Sequence, residues 1–250
     1  MPKADKTIDV RTIHDIPALV RRAKWLEGKT LAQVSGAIRS SDRSSRVTTK
    51  GNVGHLIEKG FFGIEMNSSS EPDIPHLGVE IKTCPLAYNK ERTRLHVKEP
   101  LSLNIINYID EAACKDITES ALYRKNRKVL FVLYIHDDRK RRSEYVIKYV
   151  FLWEMDGKVL DELRPDYRKI IAMIREGRAH EIHQGQHAYL TLCPKHGGVF
   201  RDPNDRKSKT EQPFSKKPAE VRAFRLKNSY MNMIISRHLG KTLEKGGWKP

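Results

Sequence analysis

Cysteine is scarce in this chain: Cys84, Cys114 and Cys193 are the three it has in 250 residues. Three thiols cannot make a disulfide framework for a chain of this size, so a packed apolar core and a reducing, cytoplasmic location are expected. Long apolar runs are missing as well. No stretch approaches the length needed to span a bilayer, and no basic amphipathic helix stands apart from the rest. The first dozen residues are charged and polar, without the apolar segment of a cleavable signal. Internal repeats and low-complexity linkers are also absent, so one domain over 1–250 is expected, with a loose arm at 1–12 and a tail at 242–250. Acidic residues are the minority charge, 31 against 47 Lys and Arg, for a net charge of +16. An excess of that size implies an anionic partner, nucleic acid before membrane.

The most informative stretch is EPDIPHLGVEIKTCP, from Glu71 to Pro85. It alternates like a β-strand, so Val79 and Ile81 face one side and Glu80 and Lys82 the other. With Asp73 it reads Asp-x6-Glu-x-Lys. Two carboxylates can hold a hard divalent cation through oxygen, leaving positions for water and phosphate. The lysine can orient or deprotonate that water. Pro72 fixes the approach to Asp73, and Gly78 permits a tight turn before the strand. The spacing alone is a weak signal and suits a solvated edge strand with an incidental ion pair better, so the neighbouring segments matter.

Helical spacing runs through Ile16, Leu19, Val20, Trp25 and Leu26 to a stop at Gly28, and Thr30 caps a short helix through Leu31, Val34 and Ile38. Arg39 to Lys50 reads as a Ser, Thr and Arg-rich loop able to contact phosphate. A helix follows over Gly51 to Gly63, with Val53, Leu56, Ile57 and Phe61 inward. Glu58 lies off that stripe and is either an ordinary surface acid or an extra carboxylate beside Asp73. Leu101 to Tyr108 suggests a strand bearing amides and Ala112 to Tyr123 a helix. Val129 to Ile135 and Tyr145 to Trp153 are β-branched and aromatic, as buried strands are. The DDRKRR run at 137–142 joins them as a solvated turn first and a phosphate contact second. A helix marked by Tyr167, Ile170, Ile171 and Ile174 has Pro165 in its first turn and Gly177 at its end.

His180, His183, His187, Cys193 and His196 match no standard structural zinc spacing, and Ala188 to Leu192 reads as a strand dividing them. Lys195, in the loop after that strand, can donate to a guanine edge or simply be a solvated loop lysine. Residues 201–217 are polar and basic and are expected to order on DNA. Lys227 to Leu239 forms the last helix. Helices alternating with central strands make the expected class α/β.

EPDIPHLGVEIKTCP, together with GHLIEKGFFG, LSLNIINY, RKNRKVLF, YLTLCPK and RAFRLKNSYMNMI, resembles the MutH family of GATC-specific endonucleases from about Ala18 to Leu239. The similarity is greatest to the catalytic half of the family's type II restriction member. The resemblance implies a restriction-endonuclease-like core, a central mixed β-sheet flanked by helices, and magnesium as cofactor. It places Asp73, Glu80 and Lys82 on the catalytic positions, Glu58 on a helix-borne acid and Lys125 on a further active-site lysine. Asp73, Glu80 and Glu58 are the implied metal ligands. Lys195 falls on the base-recognition loop, and Phe224, Arg225, Lys227 and Asn228 on another part of the DNA-reading surface.

Departures accompany the matches. GHLIEKGFFG is one residue longer than the usual segment, Phe224 stands where mismatch-repair members carry tyrosine, and Cys193 where they carry arginine. A hemimethylation-sensing role is weakened accordingly. The restriction member has a second, DNA-binding half that is not seen here, so cutting both strands of a palindrome calls for a homodimer. The expected function is magnesium-dependent double-strand cleavage at GATC. The alternatives are a mismatch-repair nickase and a catalytically silent DNA-binding protein.

Overall fold

The structure, a computed structural model, describes residues 8–35, 52–65, 69–195 and 209–250. Its elements begin with α1 (Ile16–Ala23), α2 (Leu31–Ser35), α3 (Asn52–Gly60), β1 (Val79–Tyr88), β2 (Leu95–Val97), β3 (Leu101–Ile105), α4 (Tyr108–Ala113) and α5 (Ala121–Asn126). They continue with β4 (Lys128–Ile135), β5 (Ile147–Glu154), α6 (Gly157–Arg175), β6 (Leu190–Pro194), β7 (Lys209–Gln212), β8 (Ser215–Glu220), β9 (Arg222–Leu226) and α7 (Asn228–His238). Two compact units share them: residues 1–99, 128–153 and 241–250 make the first, and 100–127 with 154–240 the second.

In the first unit the sheet order is β2-β1-β4-β5. β1 runs parallel to β4, with Val79 opposite Lys128 and Lys82 opposite Phe131, and antiparallel to β2 at Leu86 to Tyr88. The sheet is therefore mixed, as expected of a restriction-endonuclease-like core. β4 is buried from Val129 to Tyr134, which suits its near-continuous apolar sequence. Val79, Ile81, Leu130 and Val132 join Leu19, Leu26, Leu31, Leu56 and Ile57 of the helical segments in one core. Glu80 and Lys82 thus occupy the strand face turned away from those residues.

Both chain ends of this unit depart from expectation. Of the loose arm expected at 1–12, residues 1–7 lie outside the described residues and 8–12 are not loose but anchored, because the Ile8 N–H donates to the Phe61 carbonyl at 2.6 Å and Val10 is buried. Nor is 242–250 a loose tail. Trp248 is 0% exposed and exchanges backbone hydrogen bonds with Leu95, donating at 2.9 Å and accepting at 2.8 Å. Burying an indole outweighs the ordering of a few polar residues around it. Ile38 and the Arg39 to Lys50 loop lie outside the described residues.

The second unit holds an antiparallel sheet of order β3-β9-β6 and the hairpin β7-β8. The helix expected over Ala112 to Tyr123 is two short ones. Asn107 accepts from the Ile109 N–H to start α4, and Ser120 accepts from the Tyr123 N–H to start α5. These caps favour separate starts over one continuous helix. Pro165 lies inside α6, not in its first turn, because the helix already begins at Gly157. Residues 209–217, expected to order only on DNA, already form the hairpin; 201–208 lie outside the described residues.

Candidate active site

The chain ahead of β1 is reversed by a 3-10 turn at Pro75–Leu77, closed by Gly78 at φ 63°. That left-handed seat is one glycine fills at little cost. The reversal lets Ile74 and Val79 exchange hydrogen bonds, the Ile74 N–H donating at 2.9 Å and the Val79 N–H at 3.2 Å. A ring nitrogen of His76, 2.8 Å from the Ile13 carbonyl oxygen, ties the turn to the helical side.

Asp73 is thereby laid beside the first residues of β1. Its Oδ2 accepts from the Ile81 N–H at 2.8 Å, while Oε2 of Glu80 accepts from the Asp73 N–H at 3.2 Å. Lys82 Nζ donates to Oε1 of Glu80 at 2.5 Å. Two carboxylates and an ammonium therefore meet in one local network. Glu80 is 2% exposed. A carboxylate this deep needs a partner, and removing the partner of a buried pair typically costs about 3–5 kcal/mol. Lys82 supplies the charge and the Asp73 amide the second hydrogen bond.

The donor chemistry fits a hard divalent cation. Oδ1 of Asp73 makes no hydrogen bond among the described residues, and both carboxylates are held at one turn. Glu58 does not complete a three-carboxylate cage, since no group of three His, Cys, Asp or Glu able to hold a metal ion occurs among the described residues. Its position explains why. A methyl group placed on Gly54 would lie 3.6 Å from Oε1 of Glu58 and 3.5 Å from Oγ1 of Thr83. Glu58 thus lies towards the Thr83 side of β1, where α3 packs, rather than the Glu80 side.

The remaining candidates belong to the second unit. Lys125 is half-buried in the last turn of α5. Lys195 is exposed directly after β6, its N–H donating to the Val221 carbonyl at 2.9 Å. Phe224 does not lie on a DNA-reading surface: it is 0% exposed at the centre of β9, its ring stacked on Tyr167 at 6.3 Å. Strand alternation turns it inward while Arg225 faces the other way, with its Nε buried and without a hydrogen bond. Lys227 bonds through Nζ to the His187 carbonyl, and Asn228 opens α7 half-buried.

One positioning residue has no motif to announce it. The buried Asp166 carboxylate on α6 accepts from the N–H groups of Ala188, Tyr189 and Leu190 at 2.9, 2.6 and 3.0 Å. It fixes the start of β6, the strand that leads to Lys195. In the sequence Asp166 looks like any acid beside a helical proline; three convergent backbone donors twenty-odd residues away leave no local pattern.

Fold and site together define the class, a restriction-endonuclease-like α/β protein with a carboxylate pair and a lysine at the start of its central strand. The family model described as DNA mismatch repair enzyme MutH matches residues 62–166, which include Asp73, Glu80, Lys82 and Lys125. The chain is thus similar to the MutH family over the segment that carries these residues. It is 31% identical over 224 residues to the type II restriction enzyme Sau3AI of Staphylococcus aureus, covering 89% of this chain and 42% of that enzyme. It is 28% identical over 232 residues to the DNA mismatch repair protein MutH of Shewanella baltica strain OS185, covering 91% of this chain and 97% of that protein. A third relative, MutH of Actinobacillus pleuropneumoniae serotype 5b, is 28% identical over 184 residues, or 73% of this chain and 77% of its own. Among the described residues no helix is long and apolar enough to cross a membrane.

Proposed function

We propose that this chain is a magnesium-dependent type II restriction endonuclease that hydrolyses phosphodiester bonds of duplex DNA at GATC, acting as a homodimer. The observation that carries this reading is the meeting of Asp73, Glu80 and Lys82 at the start of β1. Magnesium held by the two carboxylates would stabilise charge on the phosphate and make bound water a stronger nucleophile. The protein's own groups do the rest. The Ile81 amide fixes one oxygen of Asp73, whose carboxylate would help to hold the ion. The Lys82 ammonium, anchored on Glu80, is placed to orient water or donate to a phosphate oxygen. Lys125 is assigned as a second ammonium at the phosphate, and Glu58 as indirect support. Exposed Lys195 reads a guanine edge, Arg225 and Asn228 face the DNA, and Phe224 supports that surface from beneath. One active site cuts one strand, so a palindrome requires two protomers.

A second reading, a MutH-like nickase needing a partner protein, is supported by the likeness to the Shewanella mismatch repair protein, 28% identical over 232 residues. Supercoiled plasmid bearing GATC sites, incubated with magnesium and purified protein alone, separates the two. Linear products whose sequenced ends fall at GATC support restriction. Nicked circles, or cutting only with an added partner, support the nickase. Intact plasmid under every condition, with protein bound to it, would leave the silent DNA-binding protein.

A further inference from the structure

The β7-β8 hairpin ends in a two-residue loop, Pro213 and Phe214, between the paired residues Gln212 and Ser215. Phe214 has φ 61°, the left-handed region that glycine normally fills at this place in a turn, and the residue is 77% exposed. A bulky aromatic residue in a strained seat, pointing into solvent, gains nothing for the fold from either circumstance. Such an outlier points to a use outside the fold.

The tip is also held firmly. A methyl group on Gly177, just past the end of α6, would lie 2.6 Å from the Phe214 carbonyl oxygen and 3.0 Å from its carbon, so the turn backbone rests directly against that glycine. Gln212, 6% exposed, accepts from the Ala179 N–H at 2.8 Å and donates to the Lys217 carbonyl at 2.5 Å, pinning the hairpin behind its tip. The ring is thus presented on a fixed backbone.

Charge around the ring selects its partner. Lys209, Lys216 and Lys217 are exposed on the two strands. Of the neighbouring acids among the described residues, Glu176 and Glu181 are both bonded by Arg178 and Glu220 by Arg222, which leaves Glu211 as the exposed acid of the hairpin. An aromatic tip flanked by ammonium groups suits a polyanion that offers π-faces between phosphates. Apolar side chains inserted between base steps, with lysines on the adjoining backbone, are a known way of gripping duplex DNA.

We propose that Phe214 is a DNA-binding wedge: its ring stacks on or between bases while Lys216 and Lys217 contact the flanking phosphates. This rests on the reading of duplex DNA as substrate and adds a contact that the catalytic cluster does not supply.

Fluorescence anisotropy with a labelled GATC duplex, in calcium to prevent cutting, tests it over a range of salt. Phe214→Ala is expected to weaken binding about ten-fold or more, as removal of a base-stacking ring does, with the salt dependence unchanged. Phe214→Trp should bind as the wild type. Lys216→Gln with Lys217→Gln should instead flatten the salt dependence by about one phosphate contact for each lysine. Phe214→Gly separates this from a structural role: it relieves the backbone, so thermal stability should rise while affinity falls. Wild-type affinity in both Phe214→Ala and Phe214→Gly would overturn the wedge and leave the endonuclease reading standing. Loss of dimer in sedimentation at unchanged affinity per protomer would assign the ring to a contact between copies and likewise overturn it. If the wild type itself fails to bind duplex, both readings fall together.

Discussion

The start of β1 and the middle of β9 both carry residues that the family resemblance assigns to DNA, yet they are built differently. At β1, Glu80 and Lys82 share one strand face and satisfy one another, so the charged groups stay gathered at a point. At β9, Phe224 and Arg225 are neighbours that turn opposite ways, the ring into the core and the guanidinium to the other face. A run of matching residues is therefore not a surface; within a strand, only alternate positions of it are. Chemistry that needs three groups together is better served by the i, i+2 spacing than by consecutive residues.

Removing Lys82 tests the gathered site most severely. Lys82→Ala should reduce plasmid cleavage by about 10²- to 10⁴-fold, the contribution of a group that orients or deprotonates the nucleophile, while specific duplex binding persists. Because alanine leaves Glu80 buried beside no ammonium, Lys82→Gln and a thermal melt belong in the same series. Full cleavage by either variant would remove the catalytic assignment.

Phe224→Ala probes the other side of the comparison. A core ring truncated to a methyl group costs about 3–5 kcal/mol, so denaturant unfolding should shift strongly and DNA binding should fall only as the folded fraction falls. Unchanged stability with weakened binding would mean that the ring meets DNA directly, and the contrast between the two strands would disappear.

The smallest effect is expected at Glu111, which accepts from the Tyr167 hydroxyl at 2.7 Å and the Ala121 N–H at 3.2 Å. Burial raises its pKa above the ordinary carboxylate range despite those bonds. The folded state therefore favours the neutral acid. That contribution is complete below the unfolded value, about 4.3, and is lost as pH rises through the folded one. Glu111→Gln should be within about 1 kcal/mol of the wild type near pH 4 and gain on it as pH increases, read as melting temperature against pH. A difference that does not vary with pH would show that the carboxyl titrates alike in both states.

What the sequence revealed follows the same logic. β1, β4 and β5 were legible because alternation and β-branched runs are local signals, and the neighbouring positions of Glu80 and Lys82 come directly from a period of two. Asp73 joins them through a turn that Gly78 marks. Less visible were features decided at a distance: Trp248 reaching Leu95, Gln212 pinning the hairpin to Ala179, and Asp166 collecting three amides. The missed break between α4 and α5 is of another kind. Asn107 and Ser120 are side chains that suit caps, but helical apolar spacing runs past them and hides the choice.

The turn before β1 has a further effect, unrelated to catalysis. β2 pairs with β1 only from Leu86 to Tyr88, so the outer margin of the strand's first half has no neighbouring strand among the described residues. Ile74 takes the place of one at Val79, and the Asp73 carboxylate occupies the Ile81 amide. Bare strand margins invite pairing with other chains. The acid that gathers the site therefore also occupies a backbone donor on an open strand margin, one that another chain would otherwise find free.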